Sequence, residues 1–75
     1  MNHDRLIHDA NQIALYFAAY PHDEAVEGVA DHIHKFWDPR MRATLRTMLE
    51  AREPGLHALV LEAGEKLNAI DAPKS

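Results

Sequence analysis

Prolines cut this chain into segments of helical length, and no segment shows strand-like alternation of apolar and polar residues. Pro21 follows Tyr20, Pro39 follows Asp38, Pro54-Gly55 follows Glu53, and Pro73 lies near the end. Proline lacks the backbone donor and disfavours helical geometry in the residue before it, so each of these points breaks or starts a helix. The expected architecture is all-α, a small compact four-helix domain. Helices are expected near 4–19, 21–36, 39–52 and 56–70. The whole chain, 1–75, forms one domain in this reading, ordered over about 4–70, with a tail at 71–75 expected to fray.

The apolar pattern agrees. In the first segment Leu6, Ala10, Ile13, Ala14 and Phe17 fall in a stripe about 100° wide at 100° per residue. In the second, Ala25, Val26, Val29, Ala30, Ile33, Phe36 and Trp37 spread over about 140°, wider than one neighbour requires. Gly28 interrupts this helix at a cost of up to about 1 kcal/mol relative to alanine, which a close backbone approach or drift could explain. Asp38-Pro39 supplies an N-cap carboxylate followed by proline at the first helical position. Met41, Leu45, Met48 and Leu49 form the inner stripe of the third helix. Leu56, Leu59, Val60, Ala63, Leu67 and Ile70 form that of the fourth. Connections of roughly one to four residues favour antiparallel or angled neighbours. The link around Trp37-Asp38-Pro39 favours a corner over a hairpin.

A chain of 75 residues has a thin stability margin on its own core. It has no cysteine, so neither disulfides nor thiolate metal sites can staple it. Twelve acidic against eight basic residues give a net charge of −4, which argues against nucleic acid as a partner. No apolar run reaches the ~20 residues that span a bilayer, and the N-terminus lacks the marks of a signal peptide. The expected location is cytoplasmic, with no membrane partner.

Six histidines raise the question of a metal. His32 and His34 point about 160° apart on a helix, and no ligand set converges by spacing. Iron, molybdenum and zinc are therefore expected to be absent from the chain. The only serine is Ser75, and Thr44 and Thr47 lie inside a helix. Without an activated nucleophile, autonomous catalysis is not expected.

Charge is unevenly distributed. Residues 1–34 hold one arginine and six carboxylates, a net of −5, whereas residues 35–46 sum to +3. Within the basic stretch, Phe36-Trp37-Asp38-Pro39-Arg40-Met41-Arg42 combines aromatic and arginine side chains, types enriched at interface hot spots. Trp37, Arg40, Arg42 and Arg46 are the first candidates for a partner-binding surface. The competing reading has Phe36 and Trp37 filling the core and the arginines pairing locally. For Phe36 the two readings balance; Trp37 with Arg42 and Arg46 is assigned to the partner surface. Leu15 and Tyr16, on the outer side of the first helix, are further candidates. Leu61 also lies off its stripe. Together with the broad second stripe, these residues suggest more apolar surface than one small core can bury.

Several strings follow in a characteristic order: Ala10-Asn11-Gln12-Ile13-Ala14, Pro21, Glu24-Ala25, Ala30-Asp31-His32-Ile33, Phe36 to Arg42, Gly55-Leu56 and Leu59-Val60. This order resembles the delta subunit of bacterial NAD-dependent, molybdenum-containing formate dehydrogenases over about residues 10–63. The aromatic–arginine string is its most specific part. Ala58 departs from the family pattern, which often has proline there. The resemblance implies an accessory subunit without its own active site or cofactor. The complex it implies uses molybdopterin, iron–sulfur clusters, FMN and NAD in larger subunits. The implied partner is one of those subunits, foremost the molybdopterin-containing alpha subunit, and the implied role is assembly or stability of the complex. Alternatives are a transient assembly or cofactor-maturation chaperone and a stand-alone helical regulatory module.

Overall fold

The computed structural model describes residues 3–71, and side chains up to Leu67. Four helices follow in order: α1 His3–Phe17, α2 His22–Phe36, α3 Pro39–Glu50 and α4 Ala58–Asp71. No strand occurs among the described residues. α4 runs to Asp71, one residue past its expected end, and residues 72–75 of the expected tail lie outside the described residues.

Local chemistry trims all four expected helices. α1 ends at Phe17 because the following amides turn back tightly, Ala18 N–H to the Leu15 carbonyl and Tyr20 N–H to that of Phe17. Pro21 occupies the N-cap of α2 rather than its first turn. It contributes no side-chain bond, but its carbonyl accepts from Ala25 N–H at 2.8 Å. α3 stops at Glu50, where Arg52 takes the left-handed conformation with φ 55°. Arg52 N–H then bonds the Leu49 carbonyl and Glu53 N–H that of Met48. This is the Schellman arrangement that usually places glycine where Arg52 stands.

α4 begins two residues later than Leu56. His57 N–H donates to Asn11 Oδ1 at 2.8 Å, and Asn11 Nδ2 donates to the Gly55 carbonyl at 2.7 Å. One side chain on α1 thereby pins the α3–α4 loop. His57 Nδ1 in turn accepts from Leu59 N–H at 3.0 Å, satisfying an amide left open at the start of α4. Ala58 is the first helical residue, the position proline suits best. Alanine keeps that start, so its departure from the family pattern leaves the helix in place.

We expect Asn11→Ala to destabilise the chain by about 1–3 kcal/mol, because two long-range hydrogen bonds end on that side chain. Urea unfolding should show a lower midpoint with an unchanged slope. Asn11→Asp, which keeps the acceptor and loses the donor, should fall between the two.

The helices are held by one apolar core. α2 packs most extensively on α4 and next on α1, while α4 also meets α1 and α3. The breadth of the α2 stripe is thus used inside the fold: Ala25, Val26, Val29, Ala30 and Ile33 are all buried. Of that stripe only Phe36 is left outside. α2 and α3, although consecutive, touch little, as a corner between them requires. Leu6, Leu45, Met48, Leu59, Val60 and Leu67 complete the core together with buried alanines of α1, α2 and α4. Gly28 has a close neighbour, and it is a side chain rather than the backbone expected. A methyl group there would lie 2.5 Å from the Phe17 ring of α1.

Candidate protein-docking surface

The corner between α2 and α3 forms as its residues dictate. Asp38 is extended, and its Oδ1 accepts from Met41 N–H at 2.8 Å, with Pro39 opening α3. Trp37 is also extended, with φ −89° and ψ 138°, and its N–H closes α2 on the Ile33 carbonyl. That turn carries the indole into the core, where Trp37 is 7% exposed. Phe36, one residue earlier, is 72% exposed. Trp37 is thus a core residue rather than the surface residue expected, and Phe36 is the exposed aromatic of the pair. On a helical wheel Phe36 falls between Ala25 and Val29, and that position suggests burial. A wheel registers direction around one helix, but not which side chain fills the space at its end.

The arginines divide in a similar way. Arg42 is half-buried and turns back on α2. Its Nη1 donates to the Trp37 carbonyl at 2.8 Å and the His34 carbonyl at 3.0 Å. Both oxygens belong to the end of α2, where the helix leaves carbonyls open and the dipole favours a cation. Arg42 is thus engaged in joining α2 to α3. Arg46 is half-buried, and Arg40 is exposed on the first turn of α3. Lys35 pairs with Asp31 at 3.1 Å. The basic stretch of the sequence does not survive as one free patch, because folding engages Arg42 and Lys35 locally.

Leu15 and Tyr16 stand where their helical phase puts them, 57% and 68% exposed. Tyr20 and Leu61 are also exposed. Tyr16 meets Phe17 edge-on with ring centres 5.0 Å apart, and Phe17 lies 5.7 Å from Tyr20. Across the hairpin, His32 packs on Phe36 at 4.7 Å. Between the two rows runs a groove of about 520 Å³, lined by Gln12, Ile13, Tyr16, Phe17, His32 and Phe36. The structure brings Tyr16 together with Phe36; it does not gather Trp37, Arg42 and Arg46 into an outer surface. The sequence signal for Phe36 was its neighbour: only one of two adjacent aromatics at a helix end can follow the turn inward.

A second cleft lies between α2 and α4 and is acidic, with Asp23, Glu27, Glu62 and Glu65 beside His22 and Lys66. His22 Nε2 meets Glu62 Oε1 at 2.8 Å, and Lys66 meets Glu27 at 3.8 Å. These exposed contacts tie the two helices with little net energy. Among the described residues no three histidine, aspartate or glutamate side chains come together in a way that could hold a metal ion. Nor is any described helix long and apolar enough to cross a membrane.

No curated protein and no solved structure shows a significant match to the chain. A family model does: residues 5–63 match the NADH-dependent formate dehydrogenase delta subunit, FdsD. The matched span runs from the first turn of α1 to the middle of α4 and includes Asn11, Gly28, the Trp37 corner and both walls of the aromatic groove. The chain therefore belongs to the delta-subunit family of NADH-dependent formate dehydrogenases.

Proposed function

We propose that this chain is a non-catalytic subunit that docks on a larger formate dehydrogenase subunit and supports assembly or stability of the catalytic complex. The observation that carries this reading is the exposure of large apolar side chains on the α1–α2 hairpin: Tyr16 and Phe36 line one groove, and Leu15 and Tyr20 are exposed as well. Four large apolar side chains left outside the core of so small a domain suit a surface completed by a partner. Leu15 and Tyr16 keep the role expected of them, and Phe36 takes that of Trp37. Arg40 is exposed and Arg46 half-buried on α3, and neither lines the groove. The molybdopterin-containing alpha subunit is the foremost partner, in the cytoplasm. The action is mass action: a subunit that binds the assembled state better than the separate parts raises the population of that state. The chain itself contributes no cofactor and no active site in this reading.

The test is to tag the chain in its native cell, purify it gently and identify what accompanies it. Formate dehydrogenase subunits at a fixed ratio in the mature, active enzyme are the expected result. Accompaniment limited to enzyme lacking its molybdenum cofactor would instead indicate a transient maturation chaperone. Purification without any of these subunits would refute the docking role.

A further inference from the structure

The α1–α2 groove differs in its lining from two other clefts. The α2–α4 cleft carries Asp23, Glu27, Glu62, Glu65 and Lys66, and the cleft between α3 and α4 carries Glu50, Arg52, Glu53 and Glu65. None of the six residues that line the groove is a carboxylate, lysine or arginine. Its polar members are the Gln12 amide and the His32 imidazole, and the imidazole already packs on the Phe36 ring at 4.7 Å. Asp9 and Asp31, the carboxylates nearest to the lining in sequence, meet Arg5 at 3.5 Å and Lys35 at 3.1 Å. Lining residues recur four apart on both walls, Gln12 with Tyr16, Ile13 with Phe17 and His32 with Phe36, so the groove is about one helical turn long.

That lining selects an occupant. A lysine, arginine or carboxylate entering the groove would give up hydration with no carboxylate, lysine or arginine in the walls to receive it, which is costly. Apolar side chains carry no such cost, and they cover two rings that are 68% and 72% exposed. The exposed parts of Tyr16, Tyr20 and Phe36 come to roughly 300–450 Å² on the usual area of an aromatic side chain. That is short of the ~800 Å² that each partner brings to a stable interface. Two copies of this chain meeting through these rings alone would bury too little, whereas a larger subunit reaches surface beyond the groove. Resting on the docking role above, we infer that the groove receives apolar side chains of a larger partner subunit, in a contact that holds no charged group of the partner. Tyr16 and Phe36 are the anchors, one from each wall.

The experiment compares retention of enzyme subunits by the tagged wild-type chain and its variants, in low and high salt. Tyr16→Ala with Phe36→Ala should reduce retention about tenfold or more, as loss of paired aromatic anchors does. Helical content should be unchanged, because both side chains are mostly exposed. Phe36→Lys and Phe36→Glu should both fall below Phe36→Ala, and by the same factor, because a charge of either sign enters the contact without a counter-charge. The ratio of wild-type to double-variant retention should not fall as salt rises, since salt screens charges and not apolar contact. Wild-type-level retention by the double variant would overturn the inference and leave the docking role standing. Phe36→Lys and Phe36→Glu differing about tenfold or more would reveal a charged group of the partner at the groove and overturn the uncharged contact. Light scattering that shows a dimer of the isolated chain, lost in the double variant, would make a second copy the occupant and overturn the proposal. Failure of the wild-type chain to retain any enzyme subunit would remove the docking role, and the inference with it.

Discussion

Trp37→Ala should unfold the isolated chain, whereas Phe36→Ala should leave its stability nearly unchanged. The indole is 7% exposed and belongs to the single core, while Phe36 is 72% exposed. Truncating a buried tryptophan costs about 3–5 kcal/mol through lost transfer energy and the cavity left behind. A core of this size rarely supplies more than about 3–5 kcal/mol in total. The loss therefore consumes most or all of the margin. Phe36→Ala removes surface that is already largely in water, and such changes usually stay within about 0.5 kcal/mol. Circular dichroism at room temperature should show helical signal lost in the first variant and kept in the second. The opposite ranking would mean that Trp37 is the surface residue and Phe36 the core residue.

Arg42→Glu should cost about 2–4 kcal/mol in the isolated chain, while Arg40→Glu should cost less than about 0.5 kcal/mol. The guanidinium of Arg42 makes two charge-assisted bonds to carbonyls at the end of α2, each worth more than a neutral bond. Glutamate removes both donors and sets a negative charge beside carbonyl oxygens and the negative end of the helix dipole. Arg40 is exposed on the first turn of α3, where a carboxylate even suits the dipole. Arg42→Lys keeps the charge but cannot copy the geometry of a planar fork that reaches two oxygens, so it should fall between wild type and Arg42→Glu. Urea midpoints for the three variants test the ranking. Equal midpoints for Arg42→Glu and wild type would show that the capping bonds add nothing to stability. Any loss of enzyme binding on changing Arg42 must therefore be read against its loss of fold. Tyr16 and Phe36 are cleaner probes of docking.

The helices themselves could be read from single residues. Asp38-Pro39 caps and opens α3 because an aspartate oxygen can reach the amide three residues on, and proline fixes the next turn. Leu15 and Tyr16 are outside because helical phase alone turns them away from Leu6, Ala10 and Ala14. The helix ends were harder, because other segments decide them. α4 starts at Ala58 where Asn11 of α1 and the imidazole of His57 hold the preceding turn. No sequence-local signal reports a bond between residues 11 and 57.

Trp37 and Phe36 mark the boundary between the two kinds of information. Periodicity, proline placement and the lack of cysteine were enough to determine four helices, their order and a core without disulfides, because each depends on chemistry within one turn or on composition. The order of the motif residues was enough to suggest the delta-subunit family, which the match over residues 5–63 shows. Tertiary structure decided which of two adjacent aromatics became core and which arginine became a cap. It also decided that the broad stripe of α2 serves two neighbours inside the fold. Those outcomes depend on which volumes and open carbonyls neighbouring helices present, and that is set only when the helices meet.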